Sequence, residues 1–304
     1  MAKKVAVLMG GWSSERDVSL SSANGVINAL RERGYDVTPI DVQKNLFQFI
    51  DDIQKANPHV IFNSLHGTGG EDGVIQGVLD MLQIPYTHSG VTASAVAMNK
   101  IMSRKIFEHD GLCIPRWKIM LLEDVLKENP MDFPYVVKPI GEGSSRGVSI
   151  VRTDTERLRA FDGWTYGDHV LVEAYIPGRE IQVAVINGKA TGVIEICPKN
   201  GFYDYDAKYT DGMASHIMPA PLVEEDYKQA LQLAEQAYES LHCRGVARVD
   251  FRFDDTKMPS KFYILELNTQ PGMTPLSLVP EIMAYHQVSF SDLVHQMVEE
   301  ARCD

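Results

Sequence analysis

The stretch VARVDFRFDDTKMPSKFYILELN, residues 246–268, carries the strongest local pattern in the sequence. Its two apolar runs are separated by a polar turn and predict two neighbouring strands. Because side chains alternate between the two faces of a strand, Arg248 and Asp250 share one face, and Glu266 and Asn268 share one face of the next strand. If the strands are antiparallel partners, two carboxylates, an amide oxygen and a guanidinium converge.

Such a group of oxygens predicts a metal site. Mg²⁺ prefers hard oxygen ligands, usually one or two carboxylates together with substrate phosphates. Two carboxylates about 4 Å apart repel by about 4 kcal/mol at an effective dielectric of about 20, so a cation is expected between them if they meet. Either motif alone is explained better as a surface ladder of paired charges. The metal interpretation depends on a glycine-rich stretch further upstream.

That stretch is KPIGEGSSRG, residues 138–147, between two predicted strands. Glycines allow backbone amides to approach a polyphosphate, and Lys138, Ser144 and Ser145 add a positive charge and hydrogen-bond donors. It matches neither the Walker loop nor the Rossmann fingerprint. A plain hairpin would also explain it, but a lysine at the end of a strand followed by a flexible hairpin favours a lid over phosphates.

The chain before residue 97 alternates strands with amphipathic helices, which predicts a doubly wound α/β unit with a parallel sheet. Loops at the carboxyl ends of such strands form the usual ligand edge, and His66 begins the glycine-rich loop HGTGGEDG there. Near the other end of the chain, a tight turn at 271–275 precedes a helix that Ser277 is expected to cap. A helix start can hold a carboxylate, although an ordinary cap explains these residues equally well.

We predict three regions, of combined α/β and α+β class. Residues 1–97 form the N-terminal α/β domain. Residues 98–178 form a central subdomain with the glycine-rich loop, and residues 179–304 form a C-terminal subdomain with the metal site. Within the last, a hairpin is predicted at Asn187-Gly188, and the polar segment 199–214 is expected to be a long functional loop.

Composition narrows the class of partner. The chain has 304 residues with 29 Lys and Arg against 41 Asp and Glu, a net charge of −12 that repels nucleic acid and anionic membranes. We therefore expect a small-molecule substrate, no nucleic-acid partner and no membrane partner. The 4 cysteines form no CxxC pair, so free thiols and a cytoplasmic location are expected.

A series of motifs, in chain order, resembles the D-alanine:D-alanine ligase family of ATP-grasp enzymes. They are GGWSSE at 10–15, HGTGGEDG at 66–73, EGSS at 142–145, FYDYDAKY at 202–209, RVD at 248–250 and ELNTQPGMT at 266–274. The resemblance implies an ATP-grasp fold with ATP between the central and C-terminal subdomains. It implies ATP-dependent ligation of two D-alanines, through an acyl phosphate, to the D-alanyl-D-alanine used for peptidoglycan precursors. The family's usual homodimer is expected as well.

The resemblance also implies residue roles. Two Mg²⁺ or Mn²⁺ ions are expected on Asp250, Glu266 and Asn268. The residues expected around the nucleotide are Lys100 and Lys138 at the phosphates, Glu173, Ala174, Tyr175 and Ile176 at the adenine, Glu180 at the ribose, and also Phe202 and Lys208. The residues expected around the amino acids are Glu15 and His66 at the first ammonium, Arg248 and the Gly272 amide at the oxyanion, and Ser277 at the second carboxylate. Ser144, Lys208 and Tyr209 are expected to join two mobile loops over the reaction.

Three positions depart from the family pattern. Arg146 replaces a small apolar residue and is expected either to contact phosphate or to point to solvent, while Asn99 replaces an acidic residue and Gln270 a small one. Two other functions stay open at this stage. One is a related ligase that uses another amino acid or a hydroxy acid, and the other is a nucleotide-binding regulatory protein without catalysis.

Overall fold

The computed structural model describes residues 2–199, 201, 203, 210 and 212–304. The expected site residues Phe202, Lys208 and Tyr209 lie outside the described residues. The described chain forms three sheets with helices packed against them.

The first sheet is parallel, with the strand order β2-β1-β3. Its strands are β1 (Lys4–Gly10), β2 (Asp36–Val42) and β3 (Val60–Asn63). The helices of this part are α1 (Arg16–Glu32), α2 (Leu46–Ala56), α3 (Val74–Leu82), α4 (Val91–Met98) and α5 (Lys100–His109). The central strand β1 is a continuous apolar run because both of its faces are covered. Val5 and Val7 pack with α1, while Ala6 and Leu8 pack with α2 and α3, which confirms the predicted doubly wound arrangement.

The second sheet is antiparallel, with the order β4-β7-β5-β6. Its strands are β4 (Trp117–Leu121), β5 (Tyr135–Lys138), β6 (Ser149–Val151) and β7 (His169–Ala174), accompanied by α6 (Leu122–Lys127) and α7 (Asp154–Arg159). Tyr135, Val137 and Val172 form its buried face. The β5–β6 connection is the glycine-rich loop, so this sheet presents the loop at one end.

The third sheet is antiparallel, with the order β10-β9-β8-β11-β12. Its strands are β8 (Arg179–Ile186), β9 (Lys189–Pro198), β10 (Ala214–Ile217), β11 (Val246–Asp254) and β12 (Lys261–Asn268). The helices are α8 (Glu224–Ser240), α9 (Leu278–Tyr285) and α10 (Phe290–Glu299). The predicted hairpin turn is confirmed, since Asn187 and Gly188 have φ of 50° and 80°, as a two-residue type I′ turn requires.

The C-terminal helix α10 packs against α1 at the start of the chain. Leu293 and Val294 share one hydrophobic core with Val26 and Leu30. Each sheet lies within one of the three predicted regions, but this packing crosses between the first and the last. The boundaries near residues 97 and 178 therefore stay a prediction.

Two smaller expectations concern cysteines and membranes. All four cysteines are free thiols, as predicted. Among the described residues, the helices are too short or too polar to cross a bilayer.

Candidate active site

Two adjoining cavities, each of about 90 Å³, contain the described residues to which the sequence assigned a role. The first cavity is lined by Glu15, His66, Ser144, Arg248, Asn268, Gly272 and Ser277. The second cavity is lined by Lys138, Glu173, Ala174, Tyr175, Ile176, Glu180 and Asp250. Lys100 and Glu266 line both cavities, as do Glu142 and Tyr203. The two cavities therefore share a common wall.

The strand pair at this wall has the predicted register. β11 and β12 are antiparallel, with Arg248 opposite Asn268 and Asp250 opposite Glu266. Their apolar neighbours at 249 and 267 are buried in the core on the other face. The alternation of side chains thus directs both carboxylates toward the cavities, as the sequence predicted.

Arg248 holds Asp250 in a bidentate ion pair. Its Nε and Nη2 donate to the two carboxylate oxygens over 2.7 and 2.9 Å. Burial lowers the pKa of the Arg248 guanidinium, but the charge and hydrogen bonds of Asp250 outweigh burial and raise that pKa. Arg248 is therefore a fixed cation beside the predicted metal ligands of β11 and β12.

Lys100 connects the glycine-rich loop to β12. Its Nζ donates to the Glu142 carbonyl oxygen over 2.5 Å and lies 3.7 Å from Glu266 Oε2. Burial lowers the pKa of Lys100, although the charge of Glu266 opposes this effect. Asn99 caps the same helix by accepting from the amides of Ile101 and Met102, so the departure at this position keeps the α5 start intact.

A buried group of charges supports Lys138. Lys138 Nζ contacts Glu173 Oε1, and Arg104 Nη2 donates to Glu173 Oε2 over 2.6 Å. Arg104 also donates to the carbonyl oxygens of Lys100 and Leu265 over 3.2 and 3.3 Å. Burial raises the pKa of Glu173, but Lys138 and Arg104 outweigh it and the pKa is lowered. Arg104 thereby ties together α5, β7 and β12, which carry the site residues.

Sequence reasoning missed Arg104. The sequence indicates its role only by its position four residues after Lys100 on the same helix face. That spacing is common to many surface helices and does not single out a site residue. Arg252 was missed as well. It donates to the carbonyl oxygens of Ile176 and Gly178 over 3.1 and 2.6 Å and lies 3.8 Å from Glu180 Oε2, so it fixes the segment after β7.

At the far end of the first cavity, Glu15, His66 and Glu71 form an acidic cluster. One ligand atom from each lies within 4.8 Å of the others. His66 Nδ1 is 2.8 Å from Glu71 Oε1, and its Nε2 is 3.3 Å from Ser22 Oγ. Burial lowers the pKa of His66, but Glu71 and, less strongly, Glu15 outweigh burial and raise it. Glu71 belongs to the motif at 66–73, but no role was predicted for it from the sequence.

The segment after β12 is anchored to the N-terminal sheet. Gln270 Nε2 donates to the Leu65 carbonyl oxygen, and Gln270 Oε1 accepts from Asn63 Nδ2 over 2.8 Å. Asn63 Nδ2 also donates to the Gly70 carbonyl oxygen over 3.0 Å. The departure at Gln270 therefore has a structural use, since it joins the His66 loop to the end of β12.

The predicted capping by Ser277 is wrong. Ser277 occupies the N-cap position of α9, yet in the described part of the chain its hydroxyl makes no bond to an amide of that helix. Ser277 Oγ instead accepts from the Thr274 amide over 2.9 Å and lies 2.9 Å from Thr274 Oγ1. The hydroxyl thus closes the turn before the helix, and it also lies next to Gly272, where an added Cβ would be 2.9 Å from Ser277 Oγ.

The glycine-rich loop lies over both cavities. Its central residues Ser144 and Ser145 adopt positive φ of 49° and 57°, and the Arg146 amide closes the turn on the Gly143 carbonyl oxygen over 3.1 Å. Arg146 is half-buried and its Nη2 donates to the Ser14 carbonyl oxygen over 3.0 Å. The expectation that Arg146 simply points to solvent is therefore wrong.

The residues of the strand pair fit a divalent ion by their donor chemistry. Asp250 and Glu266 are register partners on one face, and Asn268 follows on the same face of β12. These are the hard oxygen donors that Mg²⁺ takes. Glu266 belongs to both cavities, so an ion held there would lie at their common wall.

The fold is that of the ATP-grasp enzymes. A crystal structure of a D-alanine–D-alanine ligase from Bacillus anthracis matches with a TM-score of 0.83 and 32% identity, covering 98% of this chain and 97% of that one. The structure of the Bacillus anthracis ligase complexed with ATP matches with a TM-score of 0.81 and 31% identity, covering 98% and 96%.

The sequence comparisons identify the family. The family model described as "D-ala D-ala ligase C-terminus" matches residues 106–299, and the one described as "D-ala D-ala ligase N-terminus" matches 4–55 and 43–89. D-alanine–D-alanine ligases from Paramagnetospirillum magneticum and Rhodospirillum rubrum are 48% and 49% identical, each aligned over 100% of both chains. The chain belongs to the D-alanine–D-alanine ligase family.

Proposed function

We propose that this protein joins two D-alanine molecules into D-alanyl-D-alanine, with ATP as the energy source, for peptidoglycan synthesis. One observation carries the proposal. The second cavity, which has the features of a nucleotide site, shares Lys100 and Glu266 with the first cavity, which has the features of an amino-acid site. A phosphate and a carboxylate bound in the two cavities would meet at that common wall.

The second cavity suits ATP. Val136, Ile150 and Leu265 offer apolar surfaces for a base, and residues 173–176 line the same cavity. Lys138 and Lys100 face the phosphates, and Glu173 keeps Lys138 in position. Glu180, held near Arg252, is suited to accept a hydrogen bond from the ribose.

The first cavity suits two small zwitterions. The Glu15 carboxylate, with His66 and Glu71 behind it, is suited to the ammonium of the first D-alanine. The Ser277 hydroxyl, at the turn before α9, is suited to the carboxylate of the second. Arg248 lines the same cavity, and a fixed cation there is suited to stabilise negative charge that develops on the reacting carbonyl.

The reaction proceeds in two steps. A carboxylate oxygen of the first D-alanine attacks the γ-phosphorus of ATP, and the bond to ADP breaks to leave an acyl phosphate. The amine of the second D-alanine, after losing a proton, attacks the acyl carbon, and inorganic phosphate leaves. Arg248 and the Gly272 amide stabilise the oxyanion between these events. The glycine-rich loop, with Ser144, excludes water that would otherwise hydrolyse the acyl phosphate.

Asp250, Glu266 and Asn268 would hold two divalent ions, Mg²⁺ or Mn²⁺. When bound, such ions neutralise phosphate charge that would otherwise be repelled by these carboxylates. Phe202, Lys208 and Tyr209 are proposed to complete the lid and the nucleotide site. We also expect a homodimer in the cytoplasm, which sedimentation and cell fractionation would test.

The test is a product assay with ATP, Mg²⁺ and D-alanine, read by mass spectrometry. The proposal predicts equal amounts of ADP, phosphate and D-alanyl-D-alanine. D-Lactate, D-serine and L-alanine, supplied in competition, test the choice of substrate. ADP release that is independent of D-alanine, or ATP binding without turnover, would contradict the proposed activity.

A further inference from the structure

Within the described residues, hydrogen bonds join the glycine-rich loop to other parts of the chain. Lys100 Nζ donates to the Glu142 carbonyl oxygen over 2.5 Å, and Ser145 Oγ donates to the Tyr203 carbonyl oxygen over 3.1 Å. Arg146 makes the third contact, from its Nη2 to the Ser14 carbonyl oxygen over 3.0 Å. This last bond joins residues 132 positions apart and reaches the loop that follows β1.

The loop needs such contacts because its own conformation is unfavourable. The two central positions of a type I′ turn favour asparagine and glycine, whereas here they are Ser144 and Ser145 with φ of 49° and 57°. Non-glycine residues in this region carry a conformational cost and persist where surrounding contacts hold them. Arg146 immediately follows these two serines, so its side chain is well located to hold the turn.

The contact at Ser14 also reaches the proposed ammonium site. Ser14 directly precedes Glu15, whose carboxylate is buried. The loop lies against that carboxylate, since a Cβ built on Gly143 would be 3.0 Å from Glu15 Oε1. The Ser13 hydroxyl fixes the same turn by donating to the His66 carbonyl oxygen over 2.5 Å. A bond from the loop to Ser14 therefore sets the distance between the loop and Glu15.

We propose that Arg146 is a positioning residue for the first amino acid. Its guanidinium holds the glycine-rich loop on the turn that carries Glu15, so that Ser144 and Glu15 face one closed cavity. This inference rests on the proposed function, because it assigns Glu15 to the ammonium of D-alanine. When the loop is already fixed in its closed position, substrate binding does not have to order it, and the Michaelis constant for D-alanine at this site is lower.

The test compares Arg146→Met, Arg146→Lys and a matched control, Arg152→Met. Arg152 lies on the same hairpin, is exposed and is 4.0 Å from Glu156, far from any role assigned above. The D-alanine dependence of dipeptide formation is fitted with two Michaelis constants. Glu15→Gln identifies the constant of the Glu15 site as the one that it raises.

We expect Arg146→Met to raise the Glu15-site constant about fivefold, the effect of losing one partly exposed charge-assisted hydrogen bond. The KM for ATP should stay within about twofold, Arg146→Lys should restore part of the loss, and Arg152→Met should match wild type. Thermal midpoints should agree among all variants, because the loop lies outside the core.

Two results would overturn the inference. An unchanged Glu15-site constant in Arg146→Met would show that the contact with Ser14 has no effect on substrate binding. A KM for ATP that rises as much as the D-alanine constant would show instead that Arg146 contacts phosphate. In either case wild-type dipeptide formation would leave the proposed function standing, whereas a wild-type protein without that activity would refute the function itself.

Discussion

Removal of the Glu173 charge tests the buried support of Lys138. In Glu173→Gln, the Arg104 guanidinium loses its 2.6 Å ionic partner while its side chain stays 1% exposed. Removing one partner of a buried ion pair costs about 3 to 5 kcal/mol. We expect Glu173→Gln to lower the free energy of unfolding by about 3 kcal/mol, the lower end of this range. Arg104 keeps two carbonyl acceptors, and Lys138 can be solvated from the cavity.

The assay is urea denaturation followed by tryptophan fluorescence, with the free energy of unfolding extrapolated to water. The matched control is Glu123→Gln, whose carboxylate is an exposed partner of Lys127 at 3.5 Å. Glu123→Gln should lower the free energy of unfolding by less than about 0.5 kcal/mol.

The double variant Arg104→Met/Glu173→Gln completes a thermodynamic cycle. The double variant should lose less free energy of unfolding than the two single variants together, by at least about 1 kcal/mol. The reason is that each single variant leaves a charge unpaired. A cost of Glu173→Gln no larger than that of the control, or strict additivity in the cycle, would refute the view that this group stabilises the site.

Two further predictions concern the predicted metal ligands Asp250 and Glu266, and the buried residue His66. Glu266→Gln should lower turnover by at least about 100-fold with only a small change in thermal midpoint, because Lys100 keeps the Glu142 carbonyl oxygen as an acceptor. Asp250→Asn should lose both turnover and stability, because it leaves Arg248 buried without its bidentate ionic partner. Equal stability losses in the two variants would contradict this. His66 has a raised pKa in the folded state, so its protonation stabilises the fold fully below its unfolded pKa of about 6.5, and that stability is lost as pH rises through the folded pKa. The free energy of unfolding of wild type relative to Glu71→Gln should therefore decrease above pH 6.5, and a difference that does not depend on pH would exclude a role for this pair.

Much of the site could be predicted because strand alternation is a local rule. The faces of β11 and β12 follow from residue spacing, and Asp250 meets Glu266 once the two strands pair in the observed antiparallel register. The hairpin at Asn187-Gly188 was equally predictable, because few other residues tolerate its backbone. The alternation of strands with amphipathic helices before residue 97 was predictable too, because the apolar residues of a helix such as Leu46–Ala56 recur with the helical period.

What the sequence did not predict depends on contacts between distant residues. Arg104 and Glu173 are 69 positions apart, and neither is unusual in its own segment. Arg146 and Ser14 are 132 positions apart, so an arginine in a flexible loop could not be assigned a partner. Pairing of this kind is decided by the fold and leaves no local period.

The most direct measurement follows an oxygen atom from substrate to product. D-Alanine labelled with ¹⁸O in its carboxylate is supplied with ATP and Mg²⁺, and the phosphate released is analysed by mass spectrometry. If the carboxylate of the first amino acid reaches the γ-phosphorus at the wall formed by Lys100 and Glu266, each phosphate carries one labelled oxygen. Unlabelled phosphate, released while the dipeptide accumulates, would contradict the acyl-phosphate route and the joint use of the two cavities.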